Sequence, residues 1–411
     1  MDLGCILRVG VIGCGVVGLF TSYYLTREGV EVTIYDTHPI GGRASEYNAG
    51  LITPSFASAP RLSITMISRA IFGMAGPIRV SLWELVRNVR WFTRAIRSYG
   101  AADETIRWLA SKSLELHLDL LSREMIDVDL IRGVIAAFRR KDDAEILARI
   151  SGGRVISEED LEDMGYTGLG GGVYVENEIS INPAKLYWGL RGRVVEMGVR
   201  ILDAEVTYIE ALSNGVRLVS NKGSEIFSSV VITAGSRSRE LCKRIGFDPM
   251  ILPARGLVML YRSNNTEIVD SPALLEDYGV AISQHDIDNV RITGLFELIG
   301  YRTGIGKHNI EWLSSIARRH IKRYKRLSLK EIGIGYRPCS SDLMPVIGEI
   351  PGHRGLYIAS GLCRLGVTLA PIAGRIIASM ITGSRIPIDR WILDLLSPSR
   401  FSKHGGEKLT S

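Results

Sequence analysis

The sequence predicts an α/β protein in which a Rossmann-like nucleotide-binding domain is interleaved along the chain with an α+β domain built on an antiparallel sheet. Three observations support this prediction. An apolar stretch at residues 6–12 runs into a glycine-rich turn and an apolar helix, and a second apolar strand follows at 30–35. Residues 251–298 alternate between apolar and polar types and contain turn sequences, as antiparallel strands do. A chain of 411 residues also normally divides into two domains.

The first strand, turn and helix have the spacing of a dinucleotide-binding unit. Gly13, Gly15 and Gly18 form the pattern G-x-G-x-x-G, and Asp36 ends the second strand. Gly13 permits the tight turn, Gly15 lets the backbone approach a pyrophosphate, and Gly18 lets the helix pack on the strand. The helix N-terminus attracts phosphate, and the Asp36 carboxylate can accept hydrogen bonds from an adenosine ribose. The unit therefore predicts FAD or NAD rather than a 2′-phosphorylated cofactor.

Two later segments favour FAD over a nicotinamide cofactor. Residues 41–52 hold a glycine pair and a loop of small residues directly after Asp36, which suits a long cofactor that crosses several loops. Residues 230–236 predict a buried strand ending in a turn of small residues, where a second backbone segment can approach the cofactor. An ordinary strand and turn would give the same pattern at 230–236, so this segment counts only together with the N-terminal unit.

The C-terminal region carries a family resemblance. Residues 335–348 (GYRPCSSDLMPVIG) and 355–374 (GLYIASGLCRLGVTLAPIAG) are similar to the end of the D-amino-acid oxidase superfamily of FAD-dependent amine oxidoreductases. Within that superfamily the chain most resembles the D-amino-acid dehydrogenase and glycine oxidase branches, along almost its whole length. One turn differs, because the dehydrogenases usually have Gly-His-Gly where this chain has Gly361-Leu-Cys-Arg364, which is more like glycine oxidase.

The motifs and the resemblance together imply non-covalently bound FAD and a division into two discontinuous domains. The FAD-binding domain is expected to comprise residues 1–80, 150–248 and 331–411, and the substrate domain residues 81–149 and 249–330. The residues expected to bind the cofactor are Gly13, Gly15, Val16, Val17, Gly18, Asp36, Arg43, Ala44, Ser45, Asn48, Ala49, Gly50, Leu51, Val206, Ala234, Gly235, Gly361, Gly366, Val367 and Thr368.

Arg337 is the first candidate for binding the substrate. Pro338 favours an extended backbone at Arg337, and a guanidinium there can hold a carboxylate through two parallel hydrogen bonds. By the resemblance, it matches the arginine that binds the substrate carboxylate in glycine oxidase. Arg364 is the second candidate, either as a further substrate contact or as an anchor of its own loop.

Three other side chains and one helix are also candidates. Tyr278 and Tyr301 lie near the predicted antiparallel sheet, where either could line the pocket, and Tyr278 is taken as the third catalytic candidate. His285 is expected in a turn that faces solvent. The resemblance implies that the last long helix, which begins within 366–371, directs its N-terminus at the pyrimidine end of the flavin. A helix dipole there stabilises negative charge on the reduced ring.

These features predict a dehydrogenase that oxidises a free D-amino acid to the imino acid by hydride transfer to flavin N5 and passes electrons to a quinone or a dye. Such a reaction needs no protein nucleophile and no metal. The alternatives are an L-proline dehydrogenase, an oxidase of the glycine or sarcosine type and, from a different class, a non-catalytic FAD-bearing subunit of a larger complex. The sequence leaves the enantiomer, the reactivity with oxygen and the oligomeric state open.

The composition is typical of a soluble cytoplasmic enzyme. Hydrophobic residues make up 46% of the chain, and we expect no apolar run to reach the roughly 18 residues that span a bilayer. The first strand begins within a few residues of Met1, so we expect no signal peptide. A single glutamine, Gln284, weakly suggests a thermophilic source. We expect no metal site and reduced thiols, because the spacing of the cysteines fits no metal motif. These are Cys5, Cys14, Cys242, Cys339 and Cys363.

Two basic stretches contribute to the net charge of +6 and have alternative interpretations. Residues 318–326 could suggest nucleic acid, but Ile316 and Ile321 on an inner face favour a solvated helix, so we expect no nucleic-acid partner. Residues 82–97 predict an amphipathic helix with arginines on its outer face. That helix either covers the substrate domain or rests on anionic lipid at the inner face of a membrane. The inward positions expected are Leu82, Val86, Val89, Thr93 and Ile96.

A helix is also predicted in the middle of the chain. Asn182 is expected as its N-cap and Pro183 as its first residue, and the helix is expected to end near Gly198.

Overall fold

A computed structural model describes residues 7–37, 43–57, 62–74, 76–98 and 103–402. In chain order the helices are α1 (Val16–Arg27), α2 (Arg43–Glu46), α3 (Ile64–Ile71), α4 (Leu82–Arg87), α5 (Val89–Arg97), α6 (Asp103–Glu124), α7 (Lys141–Ser151), α8 (Glu158–Asp163), α9 (Pro183–Glu196), α10 (Ser238–Arg244), α11 (Lys307–His320), α12 (Gly366–Thr382) and α13 (Arg390–Leu396). The strands are β1 (Arg8–Ile12), β2 (Glu31–Asp36), β3 (Leu51–Ile52), β4 (Ile78–Val80), β5 (Ile131–Phe138), β6 (Arg154–Ile156), β7 (Gly171–Ser180), β8 (Arg200–Asp203), β9 (Val206–Leu212), β10 (Gly215–Ser220), β11 (Gly223–Phe227), β12 (Ser229–Ile232), β13 (Ile251–Arg262), β14 (Ala273–Leu275), β15 (Val280–Asp286), β16 (Asn289–Leu298), β17 (Ser328–Ser340), β18 (Val346–Glu349) and β19 (Leu356–Ser360).

One sheet is largely parallel and gathers strands from both ends of the chain. Its order is β18-β19-β12-β1-β2-β8, and only the β18–β19 pair is antiparallel. The carboxyl ends of β1, β2, β12 and β19 therefore meet at one edge. In such sheets this edge is the place where ligands bind.

The two faces of this sheet are covered by different structures. Val11 and Val231 pack into a core formed with α1, α6, α9 and α12. Ile12 and Ile232, one residue further along each strand, pack instead against the antiparallel strands β9, β10 and β11. The alternation follows from the period of two in a strand. It places the four helices on one side and the small sheet on the other.

A second, larger sheet is mostly antiparallel, as the pattern at 251–298 predicts. Its order is β17-β13-β16-β15-β14-β5-β7-β3, with β4 beside β16 and β6 beside β7. Two pairs are parallel, β14 with β5 and β4 with β16. Helix α11 packs on one face through Leu313 and Ile316, among the buried residues of that core. The predicted fold class is confirmed.

The residue boundaries of the two domains stay a prediction. Strand β7 lies within the range 150–248 assigned to the FAD-binding domain, but it pairs with β5 in the larger sheet. Strand β3, within 1–80, also belongs to that sheet. The two domains therefore exchange short segments at more places than the sequence indicated.

Local signals position α9 as predicted. The Asn182 side chain accepts a hydrogen bond from the Ala184 N–H at 3.2 Å, and Pro183 is the first residue of the helix. This cap satisfies a backbone N–H that has no partner inside the helix. The helix ends at Glu196, and Gly198 adopts a φ of +93° just after it.

The inward face predicted for residues 82–97 is wrong. The segment forms two short helices, α4 and α5, and the buried side chains are Trp91, Phe92 and Ala95. Leu82, Val86 and Val89 are 60%, 61% and 57% exposed. Helical spacing predicts an apolar stripe on one continuous helix. The break at Asn88 gives α5 a different rotation about its axis from α4, so a different set of side chains faces the core.

Two further expectations need adjustment. The basic stretch at 318–326 is helical only to His320, after which the chain forms a short 3-10 turn, although Ile316 and Ile321 are buried as predicted. Among the described residues, one helical stretch, Cys363–Thr382, is apolar and long enough to cross a membrane, which corrects the expectation of no such run. Within its most apolar 18 residues, 67% of the residues are buried, as expected for a helix in the core of a protein.

Candidate active site

The turn between β1 and α1 is closed by backbone contacts that only glycine permits. Gly13 has a φ of +112°, and its N–H donates to the Tyr35 carbonyl at 2.8 Å. A Cβ on Gly13 would lie 2.6 Å from the Thr233 carbonyl oxygen, and a Cβ on Gly18 would lie 2.0 Å from the Gly13 carbonyl oxygen. Both distances are to backbone, which cannot move aside cheaply. The turn, the helix and the end of β12 therefore fit together only if both positions lack a side chain.

The N-terminus of α1 is arranged to receive an anion. Gly15 is the N-cap and makes no side-chain hydrogen bond to the first turn, which continues through Val16 and Val17. The Val16 N–H donates to Ser45 Oγ at 2.9 Å, which brings the loop after β2 against the helix end. The partial positive charge of a helix N-terminus and its exposed N–H groups favour phosphate.

Asp36 lies beside the glycine turn at the end of β2. One carboxylate oxygen accepts a hydrogen bond from the Cys14 N–H at 2.6 Å. The Asp36 carbonyl accepts the Ala204 N–H at 2.9 Å, and Val206 begins the next strand in a buried position. Asp36, Val206 and the glycine turn are thus adjacent, as a ribose and its base require.

The loop between α2 and β3 connects the two sheets. Arg43 and Ala44 start α2, and the Gly50 N–H donates to the Asn48 side-chain oxygen at 2.8 Å. Gly50 has a φ of +75°, and a Cβ on it would lie 2.0 Å from the Ile181 carbonyl oxygen. The Ala49 carbonyl accepts a hydrogen bond from Ser283 Oγ at 3.4 Å. This loop runs along the larger sheet with its backbone in close contact.

The second glycine turn meets the first at the same edge. Thr233 Oγ1 donates to the carbonyls of Ile12 and Gly13 at 3.0 Å. Just after Ala234, the Gly235 carbonyl accepts a hydrogen bond from Ser360 Oγ at 2.9 Å. Gly361 follows with a φ of +77°. The carboxyl ends of β1, β2, β12 and β19 are therefore joined by hydrogen bonds into one continuous surface, which we call the shelf.

Helix α12 begins beside this shelf at Gly366. The Val367 carbonyl is hydrogen-bonded to His117 Nε2 at 3.0 Å, and Thr368 Oγ1 donates to the Leu51 carbonyl at 3.3 Å. Burial lowers the pKa of His117 to about 4, so the ring is neutral and donates from Nε2. The first turn of α12 is thus tied both to α6 and to the loop at Leu51.

The described residues fit an extended dinucleotide. A Cβ on Gly15 would meet only Ser45 Oγ, at 3.4 Å, and a Cβ on Gly235 or Gly366 would meet no described atom within 4 Å. Space therefore lies open beside three small residues along the shelf. A helix N-terminus, an acid at the position expected to bind a ribose and this open path match the parts of FAD in order.

The inner face of β17 leads from the cofactor loop to Arg337. Residues 333, 335 and 337 point to the same face of the strand. A Cβ on Gly333 would lie 3.0 Å from the Tyr47 ring, and one on Gly335 would lie 3.3 Å from Ala44 Cα. The two glycines thus let the loop after β2 lie on the sheet. Arg337 is the first large side chain beyond them.

Arg337 is held by backbone groups of neighbouring strands. Its Nη1 donates to the Leu295 carbonyl at 2.8 Å, and its guanidinium lies over Gly256, where a Cβ would be 2.4 Å from it. Leu295 has a φ of +66°, a strained value for leucine, which turns its carbonyl toward Arg337. Burial and the nearby charge of Arg364 lower the pKa of Arg337 to about 10.

Arg364 and an unexpected acid complete this face. Arg364 is exposed in the 3-10 turn Cys363–Leu365. Burial raises the pKa of the Glu276 carboxyl, and the positive charge of Arg364 opposes that rise, so the two groups are near each other. Among the described residues, no ion pair joins Arg337 or Arg364 to a carboxylate, and the neighbouring Glu297 is paired with Arg255 at 2.7 Å. The two guanidinium groups are therefore close enough for the charge of one to act on the other, and neither forms an ion pair with the nearby acids Glu276 and Glu297.

The prediction that all cysteines are reduced is wrong for one pair. Cys339 and Cys363 form a disulfide that joins β17 to the turn before α12. Cys14 and Cys242 are free and buried. The 24-residue separation of the bonded pair carries no sequence signal, because the two residues meet only when β17 and the C-terminal turn fold together.

Other candidates lie elsewhere than expected. His285 is not in a solvent-facing turn but on β15, where its Nε2 is hydrogen-bonded to Ser180 Oγ at 2.8 Å. The Tyr278 ring packs 5.1 Å from the His320 ring, next to the core on the α11 side, so its catalytic role stays a prediction. The Tyr301 ring packs edge-to-face against the ring of Tyr336 on β17, with the ring centroids 5.3 Å apart.

Sequence reasoning also missed two buried groups. Glu178 on β7 is 3% exposed, and its Oε1 accepts the Ser55 N–H at 2.5 Å. Its Oε2 has no partner among the described residues, and burial raises its pKa to about 7. Glu178 on β7 and Glu276, in the 3-10 turn just after β14, sit in stretches without a motif, so only the three-dimensional structure reveals them.

Comparisons with known proteins agree with this geometry. A family model described as FAD dependent oxidoreductase matches residues 8–380. The chain is 24% identical to a D-amino acid dehydrogenase of Vibrio atlanticus strain LGP32, over 92% of this chain and 96% of that protein. It is 27% identical to a D-amino acid dehydrogenase of Granulibacter bethesdensis, over 93% and 97%. The crystal structure of glycine oxidase from Geobacillus kaustophilus superposes with a TM-score of 0.76 at 19% identity, over 97% and 99%.

Proposed function

Because the chain belongs to the FAD-dependent oxidoreductase family, we propose that it is a dehydrogenase that oxidises free D-amino acids with non-covalently bound FAD. The observation that carries this proposal is the pair of Arg337 and Arg364, which form no ion pair with a carboxylate among the described residues and lie on the sheet face that meets the cofactor loop. A substrate carboxylate would supply the ion-pair partner. The relatives named D-amino acid dehydrogenase support the choice of enantiomer.

The residues of the chain bind and orient the substrate. Bound FAD supplies the acceptor for the hydride that leaves the carbon bearing the substrate nitrogen. Arg337 keeps its positive charge at neutral pH, since its pKa of about 10 lies well above 7, and can hold the carboxylate by two hydrogen bonds. Its contact with the Leu295 carbonyl fixes the plane of the guanidinium, which fixes the position of the carboxylate. The N-terminus of α12 favours negative charge at the adjacent end of the cofactor site.

The alternatives share this chemistry and differ in substrate or acceptor. L-proline dehydrogenation and glycine or sarcosine oxidation also present a carboxylate and an amine. The uncharged residues Met344, Leu362 and Leu365, which lie near the two arginines in sequence, favour small apolar substrate side chains. A non-catalytic subunit would bind FAD but turn over no amino acid.

One panel of assays tests the proposal. D- and L-alanine, D- and L-proline and glycine are each supplied to the FAD-loaded protein with an artificial dye and with oxygen alone. We expect D-alanine or D-proline to be oxidised with the dye much faster than with oxygen, and no turnover with NAD. Strict use of L-proline, or peroxide release as fast as dye reduction, would overturn the assignment while leaving the fold and the FAD intact.

We also propose that the electron acceptor is a membrane quinone, reached from a peripheral site at the inner face of an anionic membrane. Residues 62–98 contain six arginines and one acid, Glu84. They also contain a group of large apolar side chains that are each more than half exposed, namely Ile64, Phe72, Met74, Leu82, Trp83, Val86 and Val89. Exposed apolar residues among arginines suit the interface of anionic lipids. The charge of this surface disfavours pairing with a second copy of itself.

Vesicle flotation tests this membrane contact. The FAD-loaded protein is expected to float with vesicles that contain anionic lipid and to remain behind with neutral vesicles or at high salt. Replacing Leu82, Trp83 and Val86 together by serine should abolish flotation without changing dye-linked turnover. Flotation of that variant, or no flotation of the parent protein on anionic vesicles, would contradict the proposal.

A further inference from the structure

The disulfide lies directly beside both candidate substrate arginines. Cys339 is two residues after Arg337 on β17, and Cys363 immediately precedes Arg364. Their Cα atoms are 4.2 Å apart. The bond therefore connects the strand that carries one guanidinium to the turn that carries the other.

The two guanidinium groups need such a connection because their charges repel. Burial and the charge of Arg364 together lower the pKa of Arg337, so the positive charge of Arg364 acts at Arg337. No carboxylate among the described residues is ion-paired with either group. Glu276 near Arg364 and Glu297 near Arg337 offset part of this repulsion, but the net effect of the surroundings on Arg337 is still a lowered pKa.

The turn at Arg364 is also conformationally demanding. Cys363 has a φ of +49°, which is unfavourable for a residue with a Cβ. Arg364 itself is exposed, so packing of its own side chain does little to fix the turn. The Cys339 end is rigid, since it is fully buried and its carbonyl accepts Trp91 Nε1–H at 3.1 Å. The disulfide thus fixes the strained, charged turn at Cys363–Leu365 to the rigid strand β17.

We propose that the Cys339–Cys363 disulfide is a positioning device for the substrate-carboxylate site, which holds Arg364 beside Arg337. Reduction by a dithiol breaks the S–S bond, transfers two electrons and two protons to form two thiols, and leaves the dithiol as a cyclic disulfide. The turn at Arg364 then relaxes away from Arg337, and carboxylate binding weakens. The cofactor contacts at Gly13, Gly18 and Asp36 lie on other elements and remain. This inference rests on the proposed function, because it assigns the arginines to the carboxylate.

The test compares the double variant Cys339→Ser/Cys363→Ser with the parent protein and with Cys242→Ser, a variant of a buried free cysteine. We expect the KM for the best amino acid to rise roughly tenfold, a loss of about 1.4 kcal/mol, while kcat and FAD content stay within about twofold. Cys242→Ser should leave the KM unchanged. Binding of acetate, followed by the change it causes in the flavin absorption, should weaken by the same factor.

A double-mutant comparison separates positioning from general stabilisation. If the bond acts through Arg364, then adding the two serines to Arg364→Ala should raise the KM no further. A lower Tm with an unchanged KM would show that the disulfide only stabilises the fold, and would overturn the proposal. Titration of thiols in denaturant should find two fewer before reduction than after, and equal numbers would also overturn it. If no amino acid reduces the flavin of the parent protein, the proposed function fails instead.

Discussion

The proposed site has a cofactor end at the β1–α1 glycine turn and a substrate end at Arg337, and the two are built by different means. The cofactor end is closed by short-range contacts of glycine backbone, such as the 2.0 Å that would separate a Cβ on Gly18 from the Gly13 carbonyl oxygen. The substrate end is assembled over long range, from a carbonyl on β16, a glycine on β13 and a disulfide to the turn before α12. The cofactor end has little tolerance for any added atom, so substitutions there should cause loss of FAD. The substrate end can be altered one contact at a time, so substitutions there should raise the KM by graded amounts.

The largest effect is expected at the cofactor end. Gly18→Ala places a Cβ against backbone in the turn, so the β1–α1 unit must deform, and we expect most of the FAD to be lost together with a clear drop in Tm. The measurement is the ratio of flavin to protein after purification and reconstitution. Gly192→Ala is the matched control, since it lies in α9 and no atom of another described residue outside its own helix backbone would lie within 4 Å of the new Cβ. It should keep its FAD and gain up to about 1 kcal/mol of stability. Full FAD content in Gly18→Ala would show that the turn is not the cofactor site.

The next effect separates the substrate end from the cofactor end. Arg337→Ala removes the charged contact to the carboxylate, which is worth roughly 2–4 kcal/mol. We therefore expect kcat/KM for amino acids to fall by about 30- to 1,000-fold, with unchanged FAD content. Arg337→Lys should recover only a part of this loss, because an ammonium cannot form the two parallel bonds. Loss of flavin, or a normal KM, would place Arg337 outside the substrate site.

A smaller change tests how Arg337 is held. Gly256→Ala puts a Cβ 2.4 Å from where the guanidinium now lies, so the end of that flexible side chain must shift. We expect a rise in KM in the same direction as in Arg337→Ala but several times smaller, because the charge remains. In an Arg337→Ala background the same substitution should have no further effect on KM. An additive effect would mean that Gly256 acts on the site by another route.

The smallest effect is expected from Glu178, which is hydrogen-bonded to the loop at Ser55, and it concerns stability rather than activity. Burial raises its folded pKa to about 7, above the ordinary value of 4.5, so the folded state prefers the protonated acid. The stability it contributes is present below about pH 4.5 and is lost as the pH rises through about 7, by roughly 3 kcal/mol. Glu178→Gln should remove this loss, and thus raise the Tm at about pH 8 relative to the parent protein. Equal pH dependence in both proteins would show that Glu178 is not the buried acid we describe.

His117 has the opposite dependence and must be held constant in that comparison. Its folded pKa of about 4 lies below the ordinary 6.5, so its contribution to stability is present above about pH 6.5 and is lost as the pH falls through 4. Because both proteins keep His117, the difference between their Tm profiles reports Glu178 alone.

The contrast between the two ends also explains what the sequence could predict. The sequence nominates Gly13, Gly15, Gly18 and Asp36 as cofactor residues because a tight turn imposes its residues locally and at fixed spacing, and their role stays a prediction. It nominates Arg337 because Pro338 and the family resemblance mark that position. Both belong to short stretches whose meaning does not depend on distant contacts.

The rest depends on which strands become neighbours. The Cys339–Cys363 bond and the approach of Glu276 to Arg364 require the larger sheet and the C-terminal turn to be placed first. The buried face of 82–97 was missed for a related reason, since periodicity identifies a stripe but not its partner. His285 was assigned to a turn because the hydrogen bond to Ser180, 105 positions away, is invisible in a local window.

The central claim is that Arg337 binds the carboxylate of an amino acid that reduces FAD held by the glycine turn. Anaerobic mixing of the FAD-loaded protein with increasing D-alanine, followed by the loss of visible flavin absorption, measures binding and reduction together. We predict saturable reduction in the parent protein. In Arg337→Ala we predict the same FAD content but an apparent dissociation constant raised by about 30-fold or more. Failure of every amino acid to reduce the parent flavin, or identical saturation in both proteins, would contradict the account.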